Sequence, residues 1–164
     1  MLEYVIPGVK TLRLETLLLD YNGTIARDGR LVPGVAERIG RLAGDLRVVV
    51  LTADTHGTVR REMAALPVDV EVIEGCEGAQ DKAKLEALMR CGAGTCVAMG
   101  NGRNDELMLR DAALSVAVMG DEGVAVGTLV AAQVAVRDIN DGLDLLLEHG
   151  RLVATLRYSN SPTC

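Results

Sequence analysis

The chain has 164 residues, 49% of them hydrophobic and 24% charged, with a net charge of −6. That length predicts a single domain over residues 1–164, ending in a polar tail from about residue 158, that buries about two-thirds of its unfolded surface. Scattered Lys and Arg, 2% aromatic content and no Phe or Trp argue against nucleic-acid binding. The absence of both a signal segment and an apolar run of roughly 20 residues predicts a cytoplasmic protein with no membrane span.

In chain order, residues 2–15 alternate in polarity and are expected to form an extra strand or hairpin at a sheet edge. Residues 16–20 are a continuous aliphatic run and read as a buried strand, followed by a short hairpin flap in "ARDGRLVPG" and a helix over 34–43. Strands at 47–52, 68–73, 95–99, 114–118 and 133–136 then alternate with helices at 58–66, 82–90, 105–112, 123–132 and 143–148. Aliphatic strands each followed by a helix indicate a parallel sheet covered on both faces. Right-handed crossovers make it an α/β, doubly wound, Rossmann-like domain. Four cysteines, Cys76, Cys91, Cys96 and Cys164, match no zinc spacing and read as reduced thiols. His149 reads as a residue near a helix end interacting with the dipole. The aliphatic "LVATL" near the C-terminus is compatible with a homodimer.

In an open parallel sheet, ligands bind at the carboxyl ends of the strands. Asp20, Asn22 and Thr24 follow the first strand and Thr52 ends the second. "GNGRND" (residues 100–105) follows the fourth, and a helix beginning near Lys82 and Lys84 presents a lysine to the same rim. A strand-end Asp20 can attack phosphorus and carry an acyl phosphate. Gly23 frees the turn for backbone N–H groups to form an anion nest. Phosphate contacts are therefore expected from Gly23, Thr24, Thr52 and Ala53, with a lysine neutralising charge. Asp20 and Asp105 suit Mg²⁺, which takes one or two carboxylates plus substrate phosphate. Either lysine can reach. Lys84 is the better fit, because its +3 and +4 neighbours, Ala87 and Leu88, would seat the helix on the sheet, whereas those of Lys82 are Leu85 and Glu86. Asp54, Thr55 and His56, after the second strand, read mainly as cap and loop residues.

Together these segments resemble the haloacid dehalogenase (HAD) superfamily of phosphohydrolases. "LLLDYNGT" resembles its hhhDxDGT motif, "VVVLTAD" its hhhT motif and "KLEAL" its lysine helix. "VAMGNGRNDELML" resembles GDGxND, the version shared with the phosphorylation domain of P-type ATPases. The resemblance implies a HAD fold, Asp20 as nucleophile, Thr52 and a lysine on the phosphate, and Mg²⁺ held by Asp20, Asn22, Asn101 and Asp105. Gly100, Gly102 and Asn104 would support the loop, and Asp105 would also cap the helix that follows. About 30 residues between Asp20 and Thr52 leave no room for a cap domain, so the site is expected to be open to a bulky or macromolecular phosphorylated substrate, or to be closed by another subunit.

Two positions depart from the family pattern. The family has an aspartate where Asn22 stands, serving as general acid and base, and another where Asn101 stands. Three readings follow: a slow phosphatase or phosphotransferase, a catalytically degenerate module that binds a phosphorylated ligand or protein partner, or recovery of both acids by deamidation of the Asn22–Gly23 and Asn101–Gly102 pairs.

Overall fold

The computed structural model describes residues 1–53, 59–73 and 78–158. Asp54, Thr55, His56, Cys76 and Cys164 lie outside the described residues. The chain begins with an antiparallel hairpin, β1 (Leu2–Ile6) and β2 (Lys10–Leu14), and then enters the strand that forms the centre of the molecule, β3 (Thr16–Asp20). A second hairpin follows, β4 (Ala26–Arg27) with β5 (Arg30–Leu31). Its tip residues Asp28 and Gly29 have φ of 51° and 74°, the left-handed pair that an Asp-Gly two-residue turn supplies.

Helices and strands then alternate: α1 (Val35–Leu42), β6 (Arg47–Thr52), α2 (Val59–Met63), β7 (Asp69–Val72), α3 (Gln80–Cys91), β8 (Cys96–Gly100), α4 (Glu106–Asp111), β9 (Leu114–Val118), α5 (Val126–Ala131), β10 (Val134–Val136), α6 (Ile139–Leu147) and α7 (His149–Leu156). Six strands form one sheet in the order β10-β9-β8-β3-β6-β7, every pair parallel. β3 is flanked by β6 on one side and β8 on the other, so the winding reverses at β3. The doubly wound architecture read from the sequence is the one observed. Between β3 and β6 there are only a small hairpin and α1, and no cap domain is evident among the described residues.

Residue alternation divides the core into two layers. Leu17, Leu19, Val48, Val50, Val97 and Met99 pack with α1, α2, α6 and α7. Leu18, Val49, Leu51, Cys96 and Ala98 pack with Ala87 and Leu88 of α3 and Met108 and Leu109 of α4. Because Asp20 comes two residues after Leu18, it faces the α3 and α4 side. No helix among the described residues is long and apolar enough to cross a membrane.

Several expectations need correction. The N-terminal hairpin forms its own two-stranded sheet and does not extend the edge of the main one. Its buried residues Tyr4, Ile6, Leu12 and Leu14 join the core layer of α6 and α7. "LVATL" forms most of α7, whose Leu152 is fully buried and whose Val153 and Leu156 pack against the same layer. Those apolar residues pack within the chain. His149 begins α7; its ring stacks on Tyr4 at 4.9 Å, and its Nε2 lies 3.2 Å from the Glu3 carbonyl. α6 starts four residues before the expected 143, because Asp138 caps it by accepting the Asn140 N–H at 2.7 Å.

Candidate functional site

Asp20 ends β3 at the point of sheet reversal and is 6% exposed. Its Oδ1 accepts from Lys84 Nζ at 2.6 Å and its Oδ2 from the Thr24 hydroxyl at 2.8 Å. Lys84 is brought there by the spacing of α3: Lys84, Ala87 and Leu88 are the buried residues of that helix, at i, i+3 and i+4. The apolar pair seats the helix on the sheet, and the lysine lies on the same stripe at its N-terminal end. Lys82, two residues earlier, is exposed.

Lys84 Nζ also donates to Asp105 Oδ1 at 2.6 Å, so one ammonium bridges two carboxylates. Asp105 is fully buried, and its Oδ2 accepts the backbone N–H groups of Asn101 at 3.0 Å and Gly102 at 2.9 Å. Its side chain reaches back into the loop and makes no cap bond to α4, contrary to the capping expectation. Burial, followed by the charge of Asp20, pushes the Asp105 carboxyl up to about 6, against the opposing pull of Lys84 and the Gly102 N–H. Burial is also the largest influence on Lys84 and works to lower its pKa. The charges of Asp20 and Asp105 outweigh it and hold the ammonium above its ordinary value.

The glycines of the fourth motif make room for this arrangement. A Cβ on Gly100 would stand 2.4 Å from Asp105 Cγ, and one on Gly102 would stand 2.6 Å from Asn104 Oδ1. Asn104 donates to Gln80 Oε1 at 2.9 Å, tying this loop to the start of α3. Asn101, 9% exposed, donates through Nδ2 to the Gly123 carbonyl at 3.1 Å.

The turn after β3 differs from the expected anion nest. Gly23 N–H donates to the Ala26 carbonyl at 2.8 Å, and the N–H groups of Thr24, Ile25 and Ala26 all point at the Tyr21 carbonyl. The left-handed Gly23 (φ 78°) closes the turn on itself, so the N–H groups of Gly23 and Thr24 are consumed internally. Gly23 serves close approach: a Cβ there would lie 2.6 Å from Asn101 Nδ2 and 2.8 Å from Glu122 Oε2. Asn22 is half-buried in this turn. Thr52 is buried at the end of β6, one residue beyond Leu51, the partner of Asp20 in the ladder, and Ala53 is exposed.

A cleft of about 530 Å³ opens from Gly23 and Thr24, between the β4–β5 hairpin and the loop after β9. Arg27 and Asp121 form an ion pair across it, and Glu122 lines its wall. The sequence reading missed this wall; its signal was "GDEG" (residues 120–123), an acidic pair between glycines just beyond the carboxyl end of β9.

The donor set suits a hard divalent cation. Thr24 has one hydroxyl hydrogen and two oxygen neighbours, Asp20 Oδ2 at 2.8 Å and Asn101 Oδ1 at 3.2 Å. When it donates to the nearer, Asn101 Oδ1 is left with acceptor capacity beside a carboxylate. Among the described residues no three His, Cys, Asp or Glu side chains converge as a metal cage. The Asp20 carboxylate and the Asn101 amide oxygen do meet at the Thr24 hydroxyl, and hard oxygen donors of this kind suit a divalent cation that keeps waters.

Several solved structures similar to this chain are of phosphatases. Deoxy-D-mannose-octulosonate 8-phosphate phosphatase (YrbI) from Haemophilus influenzae, in a cobalt-bound form, superposes with a TM-score of 0.68 at 16% identity, over 84% of this chain and 90% of that one. 3-Deoxy-D-manno-octulosonate 8-phosphate phosphatase from Moraxella catarrhalis, in complex with magnesium ion, phosphate ion and KDO, superposes with a TM-score of 0.62 at 16% identity, over 88% and 94%. The fold is that of the HAD phosphatases. In sequence, 61 residues are 52% identical to the uncharacterized protein MJ0073 of Methanocaldococcus jannaschii, covering 37% of this chain and 66% of that protein, just under two thirds of its length. No family model matches the chain.

Proposed function

We propose that this protein is a Mg²⁺-dependent phosphohydrolase that works through an aspartyl-phosphate on Asp20. The observation that carries this reading is the placement of the Asp20 carboxylate at the end of the central strand, between Lys84 and Thr24, with Asp105 on the same ammonium. The HAD fold shared with phosphatases, one of them in complex with magnesium and phosphate ions, supports it.

In the first half-reaction an Asp20 oxygen attacks the phosphorus of a phosphomonoester or acyl phosphate. The bond from phosphorus to the leaving oxygen breaks, and an acyl phosphate forms on Asp20. Lys84 exchanges part of its pairing with the two carboxylates for the phosphoryl oxygens, and the Thr52 hydroxyl donates to them. Asp105 keeps Lys84 charged and aimed. Asp20, Asn22, Asn101 and Asp105 are the residues to hold Mg²⁺, which when bound supplies charge neutralisation at the phosphate. In the second half-reaction water attacks phosphorus, the bond to Asp20 breaks and phosphate leaves.

Asn22 favours one further reading. An amide cannot exchange a proton with the leaving group or with water, so a module that binds a phosphorylated ligand without turnover is the rival. Incubation with Mg²⁺ and acetyl phosphate or an aryl phosphate separates the two, with product release and covalent phosphate on Asp20 both followed. Turnover that Asp20→Asn abolishes supports the hydrolase. Binding of phosphate with neither turnover nor a phosphoenzyme supports the rival.

A further inference from the structure

The proposed hydrolysis needs a group that takes a proton from the attacking water, and Asn22 cannot do so. Another carboxylate stands at the same turn. Glu122, on the loop after β9, places Oε2 2.8 Å from the point that a Cβ on Gly23 would occupy, the residue next to Asn22. Hydrogen bonds hold the loop there: Gly120 N–H donates to the Arg137 carbonyl at 3.0 Å, the Gly123 carbonyl accepts from Asn101 Nδ2 at 3.1 Å, and Ala125 N–H donates to the Asn101 carbonyl at 2.9 Å. Gly120 passes so close to the Gly23 carbonyl oxygen that a Cβ on it would stand 3.3 Å away. Glu122 is thus held between the nucleophile's turn and the fourth-motif loop.

The other carboxylates of the cleft are committed or remote. Asp121 is paired with Arg27, Asp138 caps α6, and Asp28 sits at the tip of the β4–β5 hairpin. Glu122 has no hydrogen bond or ion pair among the described residues, is exposed, and borders the cleft that begins at Gly23 and Thr24. It has the room and the free oxygens to hold a water.

We propose that Glu122 is the general base for hydrolysis of the phosphoenzyme, standing in for the acid missing at Asn22; this rests on the reading of Asp20 as nucleophile. In that step the Glu122 carboxylate accepts a proton from water as the water oxygen bonds to phosphorus. The bond between phosphorus and Asp20 breaks, the Asp20 carboxylate is restored, and inorganic phosphate departs. The proton on Glu122 then passes to solvent.

The test is rapid-quench labelling with radiolabelled acetyl phosphate and Mg²⁺, comparing the wild-type protein with Glu122→Gln and with Glu122→Gln combined with Asn22→Asp. Glu122 is exposed on a loop, so the amide retains the fold, and circular dichroism verifies it. The expected result is equal labelling of wild type and Glu122→Gln, with the phosphoenzyme of the variant longer-lived by about 10²-fold or more. The added Asn22→Asp should shorten that lifetime again. Equal lifetimes in wild type and Glu122→Gln overturn the role of Glu122 while leaving Asp20 as the nucleophile. No phosphoenzyme and no turnover in any of the three overturn the nucleophile reading, and the base with it.

Discussion

Lys84 Nζ lies 2.6 Å from Asp20 Oδ1, an ion pair in which the lysine is 2% and the aspartate 9% exposed at the side chain. The same ammonium reaches Asp105, whose side chain has no exposure at all. A charge this buried is tolerated only because its partners are close and their remaining lone pairs are satisfied. Lys84→Met keeps the volume and removes the charge, leaving two carboxylates facing each other out of water. We expect a loss of about 3–5 kcal/mol in urea unfolding, the cost of an uncompensated buried charge. A loss below about 1 kcal/mol would mean that the triad is far better hydrated than its burial indicates.

Gly23 answers to sterics on two counts. Its φ of 78° is strained for any residue with a side chain, and an added Cβ would fall 2.6 Å from Asn101 Nδ2. Gly23→Ala is therefore expected to cost about 1–3 kcal/mol in stability. It should also lower turnover with aryl phosphate more than its stability loss accounts for, because Asn101 and Glu122 must both move away. Unfolding curves beside steady-state rates on the same preparation check both effects.

Much of the fold could be read from the sequence because parallel strands and amphipathic helices write their environment into short segments. Three leucines before Asp20 announce a strand buried on both faces, and Ala87 and Leu88 at +3 and +4 from Lys84 identify the seated face of α3. Other features depend on tertiary context. The apolar stripe of α7 has the same pattern whether it meets this chain or another copy, and here it packs against the layer of Leu14 and Leu146. The fate of the Gly23 N–H depends on where the Ala26 carbonyl turns, which composition does not encode. Glu122 reaches the site through the loop after β9, a strand two places from β3, so only the assembled sheet brings it near Asp20's turn.

The folded geometry also bears on the two Asn-Gly pairs. Deamidation requires the glycine nitrogen to attack the preceding side-chain amide. Gly23 N–H is held by the Ala26 carbonyl at 2.8 Å and Gly102 N–H by Asp105 Oδ2 at 2.9 Å. Attack must await local opening of those bonds. In peptide maps of native protein stored at neutral pH, Asn22 and Asn101 should stay amides, while protein held in urea converts at both. Equal conversion in the two samples would show that the loops do not protect them, and would revive the recovery of acids by deamidation.

Arg38 of α1 and Asp144 of α6 clamp two helices with a bidentate pair at 2.7 and 3.0 Å. The Arg38 hydrogen bond, opposed by partial burial, holds the Asp144 carboxyl below the usual carboxylate range. A lowered folded-state pKa gives stability that is present above the unfolded value of about 4 and lost as pH falls through the folded one. Asp144→Asn should therefore lower the urea midpoint at pH 7 and approach wild type as the pH falls below the usual carboxylate range. A difference that persists unchanged at low pH would assign the effect to packing.

Asn22→Asp offers the most direct reading of the site. The side chain is half-buried in the turn that begins at Asp20, beside the cleft where the leaving group would depart. An acid there donates a proton to that oxygen and later accepts one from water, a contribution worth about 10²–10⁴-fold in a well-placed case. If Glu122 already serves the second step, the gain should be concentrated in the first. Turnover should then rise most for alkyl phosphates, whose leaving oxygen needs the proton, and least for acetyl phosphate, whose leaving group departs without help. Comparing kcat for the two substrates in wild type and variant measures that selectivity. An equal rise for both would place the missing proton transfer in phosphoenzyme hydrolysis and count against Glu122 as its base.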